Sequence, residues 1–542
     1  MRTFTIESQD GAKRTLFLLM AIVAAIRLIG IDQIPITLDE AYYAAWSAHL
    51  SWGYLDHPPG VALLGGLSRW WSSSEFATRF PGTLAATLAG CYAARIGRIV
   101  APSNPWAPCI AFMIMQCSIG GFATGLLLNP DTGMVAAWTI AVHEALLALS
   151  GNRRRWLSAG LLCGVAILFK YIAVLLPLCI LLHLAVQRRS ELRSGWFVAG
   201  VFAGLSISSP HWIWNAQNDW ITVRFQLTRG LASSHAVANQ FEQQLPQPLA
   251  PTKDSIEQRM SDFFQVEREG EKKSKLEQAT DAMPRPLARL VNFLGGQLGL
   301  WGLFVFILML KIAACYKARD QTKLDELERF LLICTAVPLI VFGLVSLVAK
   351  VEANWAGVHI IGAGGIVASR TRVNIRWFAA ATAVHLLLFT ALAADPLGLG
   401  ARLGARRILD ETIGYRELAA GLSSDKPIFA DKYQTVSMLR FQLSTDNVNQ
   451  WPGLARGSEF VRRGTPPEVL AKLDATGFWL IVSGTTAPKI AGFVPVTASA
   501  RYLCRDGSIQ SLNYLDVDTR SSICRQQIKS WLLVDYAPES TE

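Results

Sequence analysis

The sequence predicts an α-helical polytopic membrane protein that ends in a soluble α/β domain. Three observations carry this expectation. The 542 residues are 51% hydrophobic and 17% charged, where a soluble chain of this size carries about 25% charged residues. Apolar segments of membrane-spanning length recur as far as about residue 395. Beyond that point the chain is more polar, and helical patterns mix with strand patterns.

The apolar segments fall at 15–31, 80–100, 106–121, 132–150, 156–169, 171–187, 196–211, 290–312, 330–349, 355–369 and 377–394, which makes eleven. The loops between them set the orientation. Arg95 and Arg98, Arg153-Arg154-Arg155, Arg188-Arg189 with Arg193, Lys317 with Arg319 and Lys323, and Arg370 with Arg372 and Arg376 belong on one side, the cytoplasmic side by the positive-inside rule. Both flanks of 156–187 are basic, so this stretch reads as two short crossings meeting near Lys170-Tyr171. A single crossing would leave Lys170 at mid-bilayer, at a cost of several kcal/mol. Lys13-Arg14 before an apolar run resembles a signal peptide, but no small-residue cleavage site follows, and the first helix reads as uncleaved. With the N-terminus inside, eleven crossings place Asp39-Glu40, Asp131, Lys170, 211–289, Lys350 to Trp355 and the C-terminal domain together on the outer face. The net charge of +10 belongs to the short loops and forms no continuous basic face, which argues against a nucleic-acid partner and for membrane lipids.

Two domains are expected, a transmembrane module over 1–395 and an α/β domain over 396–542. In the latter, Pro427 to Asp431 and Phe478 to Ser483 read as short buried strands and Pro467 to Thr476 as a helix. Phe493 to Val517 reads as a hairpin centred on Asp506-Gly507. The polar stretch 212–289 is too long for an ordinary connection and reads equally as a lid over substrate or as a disordered segment. Seven of the nine cysteines lie in apolar stretches and read as small core residues. Cys504 and Cys524, isolated in the polar C-terminal part, suit one disulfide if that domain faces an oxidising compartment.

The candidate chemistry gathers in the outer loops. Asp39-Glu40 sit just past the first apolar helix, where carboxylates are costly and read as a site for a proton, a cation or a polar substrate. The plainer reading is an N-terminal cap for a helix through Tyr42 to Leu50. A cap explains one acid but not the crowd of Tyr42, Tyr43, Trp46, His49, Trp52, Tyr54, Asp56 and His57 behind it. Asp131, in the turn Asn129-Pro130-Asp131, has the same two readings. Arg79 and Lys170 are cations near the outer boundary, placed to neutralise a lipid phosphate or merely to snorkel. Lys350, Glu352, Asn354 and Trp355 share one short loop between two spans. No Gly-rich phosphate loop, HExxH or GxSxG occurs, which argues against a nucleotide-driven pump and against the common hydrolases. The outer-face acids are of a type that could hold a divalent cation, but their spacing is not diagnostic of a metal site.

The run Leu38-Asp39-Glu40-Ala41-Tyr42-Tyr43 through Trp52-Gly53-Tyr54-Leu55-Asp56-His57-Pro58-Pro59 resembles the first outer loop of membrane glycosyltransferases of GT-C fold. The narrower resemblance is to families 39 and 83, and within them to the lipid A aminoarabinose transferases and the rhizobial lipid A galacturonosyl transferases. Arg79-Phe80-Pro81, Asn129-Pro130-Asp131, Phe169-Lys170-Tyr171, Ile213-Trp214-Asn215-Ala216, Arg224-Phe225-Gln226, Gly295-Gly296-Gln297-Leu298-Gly299, Lys350 to Trp355 and Ala430-Asp431-Lys432-Tyr433-Gln434 match in order. Two features depart from the family: Asn129 stands where it often has Thr, and 212–289 is longer than expected.

The resemblance implies eleven or more spans in the bacterial inner membrane and a periplasmic α/β domain. It also implies a sugar donor carried on a polyprenyl phosphate and an acceptor in lipid A, lipopolysaccharide core or another glycan. By match Asp39 is the catalytic carboxylate and Asp131 the second acid. Lys170 and Arg79 lie near the donor phosphate. Glu40, Tyr42, Tyr43, His57, Lys350, Glu352 and Asn354 complete the substrate-binding set. Two alternatives stand beside this: protein O-glycosylation of the mannosyltransferase type, and a lipid or sugar transporter. Transporter sites lie near the bilayer midplane in repeated halves, whereas here the polar residues gather on one face and no repeat is visible.

Overall fold

The computed structural model describes residues 6–231, 283–302, 325–370, 380, 382–384, 387, 407–422, 425–483, 487–504, 509–513 and 527–539. The chain forms two compact units. The first comprises Met1–Ile34, Leu50–Val223 and Ser274–Arg406, and the second Pro35–His49, Arg224–Lys273 and Arg407–Glu542. The expected domain boundary near 395 lies outside the described residues.

The first unit is helical. In chain order its helices are α1 (Ile6–Gly30), α3 (Gly60–Arg69), α4 (Glu75–Val100), α5 (Ala107–Gln116), α6 (Ile119–Thr124), α7 (Pro130–Leu149), α8 (Arg155–Phe169), α9 (Leu175–Gln187) and α10 (Gly195–Gln217). Then come α11 (Ile221–Leu231), which is assigned to the second unit from Arg224 on, α12 (Arg285–Trp301), α13 (Glu326–Val348) and α14 (His359–Arg370). Helix α2 (Leu38–Ala48) belongs to the second unit. A helix stands at each of the first ten expected apolar segments over their described residues, and most of 377–394 lies outside them.

The count of eleven spans is not reached among the described residues. Two helices, α7 and α13, are long and apolar enough to cross a membrane by length and composition, and Ala107–Gln116, Arg155–Phe169 and Tyr171–Gln187 are shorter apolar helices. The reason is local: Lys170 interrupts one apolar stretch, Cys117-Ser118 another, and α1 and α4 carry Arg27, Arg79, Arg95 and Arg98 within their length. The expected loop at 212–289 also begins later. Helix α10 continues through Gln217 and α11 follows, while 232–282 lie outside the described residues.

Large apolar side chains stand exposed on several of these helices, among them Phe17 and Ile29 on α1, Leu84 and Leu88 on α4, Phe202 and Leu205 on α10, and Leu344 and Val348 on α13. Surface of this kind suits hydrocarbon better than water. The α8–α10 pair is held by small residues. An added Cβ on Gly160 would lie 2.1 Å from the Gly200 carbonyl oxygen, and one on Gly164 2.3 Å from that of Gly204. Two small-xxx-small stripes thus let the backbones touch, as packing between membrane helices favours.

Polar groups collect at the two ends of α7 and α8. Thirteen residues separate Asp131 from Glu144 along α7, about 20 Å at the helical rise. At the Glu144 end, Arg155 pairs with Glu144 at 2.9 Å and Arg153 with Glu191 at 2.7 Å. Two further Arg–acid pairs join basic loop residues to α13, Arg188 to Glu326 at 2.6 Å and Arg370 to Glu328. At the Asp131 end lie Lys170 and Asn354. The basic loops read as cytoplasmic and the acidic turn read as outer therefore occupy opposite ends of one helix pair.

The second unit contains α15 (Arg407–Thr412), α16 (Tyr415–Ala420), β1 (Ile428–Ala430), α17 (Tyr433–Leu443), β2 (Val448–Gln450), α18 (Glu459–Arg463) and α19 (Pro467–Thr476). Strands β3 (Phe478–Val482), β4 (Phe493–Cys504), β5 (Ile509–Asn513) and β6 (Gln527–Pro538) complete it. The sheet order is β2-β1-β3-β6-β4-β5. Strand β1 pairs in parallel with β2 and β3, and the β3–β6, β6–β4 and β4–β5 pairs are antiparallel. Phe429, Trp451, Phe478 and Tyr536 fill the core; the Phe478 ring stacks on Trp451 at 4.6 Å and on Tyr536 at 5.0 Å. The helix expected at Pro467–Thr476 and the β4–β5 hairpin are present, the turn of the latter lying outside the described residues.

A Gly160→Val substitution should separate α8 from α10. The expected outcome is a loss of about 1–3 kcal/mol from overpacking, read as a lower thermal midpoint of the purified protein. Gly195→Ala, at a site with open space around the added Cβ, should leave the midpoint within about 1 °C of the parent, since substitutions away from such contacts usually stay within ±0.5 kcal/mol.

Candidate active site

The most developed polar cluster is built on a break in a helix. Helix α8 stops at Phe169, Lys170 is extended with φ −158° and ψ 136°, and a 3-10 turn at Tyr171–Val174 leads into α9. Each residue of Phe169-Lys170-Tyr171 is fastened separately. The Phe169 ring fills the space above Gly133, where an added Cβ would lie 2.0 Å from it, and the space beside Gly60, where the distance would be 2.7 Å. Lys170 Nζ donates to both oxygens of Asp131, at 2.8 and 3.0 Å. The Tyr171 hydroxyl meets His211 Nε2 at 2.7 Å.

Asp131 lies in the first turn of α7, but it is not the cap. Asn129 caps the helix, accepting from the Thr132 amide at 3.1 Å, with Thr132 returning the bond in a capping box. The cap reading of Asp131 is thereby corrected, and its carboxylate faces Lys170 and also accepts from Asn354 Nδ2 at 2.9 Å. The loop carrying Asn354 is tied down in turn by Gln297 Nε2, which donates to the Ala353 carbonyl at 2.8 Å. Three residues singled out from the sequence, Asp131, Lys170 and Asn354, thus meet although 223 positions separate the outer two.

The Asp39-Glu40 pair divides its labour inside the second unit. Thr37 is the cap of α2: its hydroxyl accepts from the Glu40 amide at 3.3 Å, and Glu40 Oε2 accepts from the Thr37 amide at 3.0 Å. Glu40 is buried by this capping box, whereas Asp39 in the same first turn is exposed. A carboxylate there is favoured by the helix dipole. Tyr42 and Tyr43, expected to bind substrate, are buried. The Tyr42 hydroxyl accepts from the Glu459 amide at 2.7 Å, and its ring lies 4.6 Å from Tyr433 and 5.3 Å from Phe460. These contacts dock α2 on α17 and α18. Tyr43 packs on Trp46 at 5.1 Å.

The remaining candidates have plainer surroundings. Arg79 is buried and donates to the carbonyls of Ile31 at 2.7 Å and Ile34 at 2.6 Å, fixing the turn after α1. These bonds hold one nitrogen of its guanidinium to the backbone. His57 is half-buried, and its carbonyl accepts from the Tyr54 amide at 3.3 Å. Lys350 and Glu352 face each other across 3.7 Å on the surface, where an ion pair contributes little. Cys504 is disulfide-bonded, and Cys524 lies outside the described residues. Among the described residues no group of three His, Cys, Asp or Glu side chains is placed to hold a metal. Asp431 is buried, which pushes its pKa up, while Lys432 and the Ser483 amide at 2.8 Å pull it back.

Two buried residues, His211 and Arg27, were not singled out, although Asn215 and Tyr171 beside the first lie in matched stretches. His211 and Asn215, one turn apart on α10, share the Tyr171 hydroxyl. Arg27 donates to Gln116 Oε1 at 2.6 Å and the Gly121 carbonyl at 2.8 Å. The available signal was the same for both: an ionisable side chain inside an apolar helix.

Residues 56–214 match the family model described as dolichyl-phosphate-mannose-protein mannosyltransferase. No curated protein sequence matches the chain. Among solved structures, ArnT from Cupriavidus metallidurans in the apo state superposes with a TM-score of 0.59 at 14% identity, covering 96% of this chain and 98% of that one. This is the GT-C fold of membrane glycosyltransferases. ArnT from the same organism bound to undecaprenyl phosphate gives 0.55 at 13% identity, covering 96% and 97%. The family match and the full-length GT-C likeness agree on one class of enzyme, a membrane glycosyltransferase.

Removing one partner of the buried Asp131–Lys170 pair strands the other. Asp131→Asn and Lys170→Met should each cost about 3–5 kcal/mol, and the double variant less than the sum of the two, as a double-mutant cycle of chemical denaturation would report. In the second unit, Tyr42→Phe leaves the Glu459 amide without its acceptor and should cost about 1–3 kcal/mol, checked by the same denaturation.

Proposed function

We propose that the protein transfers a sugar from a polyprenyl-phosphate donor to lipid A or lipopolysaccharide core at the periplasmic face of the bacterial inner membrane. The observation that carries this reading is the Asp131–Lys170–Asn354 cluster at the helix break, in a chain whose fold follows ArnT over nearly its full length. On this reading the chain crosses the membrane eleven or more times, as a transmembrane module over 1–395 with a periplasmic domain over 396–542.

The chemistry asked of the residues is a displacement at the anomeric carbon. An acceptor oxygen forms the new glycosidic bond, the bond to the phosphate oxygen breaks, and the polyprenyl phosphate departs with the electron pair. The acceptor proton goes to Asp39, which is exposed in the first turn of α2 while Glu40 is held in the cap. General-base assistance of this kind contributes about 10²–10⁴-fold. If the acceptor is itself a phosphate no base is needed, and Asp39 positions substrate instead. Lys170 supports the leaving group. An ammonium has three donors; two meet Asp131, and the third suits a phosphate oxygen. Asp131 and Asn354 fix that ammonium, so its charge is in place before the phosphate's charge develops.

A second reading, transfer to protein hydroxyls, is favoured by the family match over 56–214. Mass spectrometry of lipid A and of surface proteins from a deletion strain separates the two: a sugar missing from lipid A supports the first, and one missing from proteins the second. Asp39→Asn, assayed in membranes supplied with donor and acceptor, should lower transfer by about 10²-fold or more with an unchanged thermal midpoint. Transfer at the parent rate would remove Asp39 from the role of base.

A further inference from the structure

We infer that His211 is a positioning residue for transfer, fastening the backbone of residues 51–57 to the helix break that carries Lys170. This rests on the proposed donor site and adds to it a residue outside the substrate-binding set.

His211 is fully buried near the end of α10. Its Nδ1 lies 2.8 Å from the Trp52 carbonyl oxygen and its Nε2 2.7 Å from the Tyr171 hydroxyl. A carbonyl can only accept, so Nδ1 carries the proton. In the neutral ring Nε2 is then the acceptor, and the Tyr171 O–H donates to it. The ring therefore works as a bridge with one donor and one acceptor, each facing a different segment. Asn215 Nδ2, one turn further along, also reaches Nε2 at 3.1 Å, besides the His211 carbonyl at 3.3 Å and the Tyr171 hydroxyl at 3.4 Å.

On the loop side the segment is already shaped. The Ser51 amide donates to the Tyr54 hydroxyl at 3.0 Å, and Thr222 Oγ1 donates to the Tyr54 carbonyl at 2.6 Å. Gly53 lies against the Trp214 ring, which an added Cβ would approach to 2.1 Å. On the other side Tyr171 is the residue after Lys170, so its hydroxyl bond fixes the peptide from which the Lys170 side chain leaves. His211 joins the two. It acts on the donor phosphate only through Tyr171 and Lys170.

The test uses the full chain in lipid nanodiscs with undecaprenyl phosphate as probe. Losing one hydrogen bond of this bridge, worth about 1 kcal/mol, should weaken binding by roughly fivefold in His211→Ala and in Tyr171→Phe. Because both remove one connection, the double variant should bind no more weakly than His211→Ala alone. His211→Gln keeps a donor and an acceptor and should recover binding to within about threefold of the parent. Amide exchange should quicken in 51–57 and 170–174 in His211→Ala and not in His211→Gln. Parent-like affinity in His211→Ala, additive losses in the double variant, or no recovery with glutamine would overturn the inference. If the parent protein itself takes up no undecaprenyl phosphate, the donor assignment falls. Exchange then decides the tether, and unchanged exchange in both segments of His211→Ala would overturn it.

Discussion

The ion pair between Asp131 and Lys170 is the contact around which the helical unit is arranged. Two opposite charges taken out of water gain from each other only if their geometry is good and their remaining valences are met. Here the geometry is a two-oxygen contact with a third bond from Asn354. Holding it requires Lys170 to leave the helix, because a continuous α8–α9 helix would direct that side chain by its helical phase and not toward the start of α7. The glycines at 60 and 133 admit Phe169, and His211 and Asn215 receive Tyr171. A charged cluster thus dictates the break, and the break dictates small residues on two neighbouring helices.

The opposite ends of the same helices carry a different kind of electrostatics. Arg153, Arg155, Arg188 and Arg370 pair with acids that sit at helix ends, and three of these acids, Glu191, Glu144 and Glu328, are nearly fully buried while most of their arginines remain partly exposed. These contacts pair four arginines with acids at that end. At the Asp131 end the ammonium keeps a donor beyond its partner's two oxygens.

Much of this was legible in the chain. The ten helices at expected apolar segments follow from hydropathy and loop charge, and the break at Lys170 follows from requiring both Arg153–Arg155 and Arg188-Arg189 on one side. The ordered matches picked out Asp131, Lys170 and Asn354. The cap assignments were not legible, because Thr37 and Asp39, or Asn129 and Asp131, are equally good caps by type and only backbone angles choose between them. The bonds from Arg79 to the Ile31 and Ile34 carbonyls were not legible either, because a buried arginine bonded to backbone has the same sequence signature as one held for a ligand. Strand β6 escaped as well, although it joins β3 to β4, because its partners lie far away in the chain.

What the sequence determined by itself is what depends on neighbours along the chain: apolar length, loop charge, the interruption at Lys170, and the identity of the acids at the outer turns. The tertiary structure decided which of those groups are engaged and with what. Glu40 closes its own helix cap, Tyr42 anchors α2 to α18 through the Glu459 amide, and Asp131 meets a lysine 39 positions away. A hydrogen bond has a length of about 3 Å and a direction. Residue order fixes neither for groups brought together from distant parts of the chain, and so the roles of these side chains were settled only by packing.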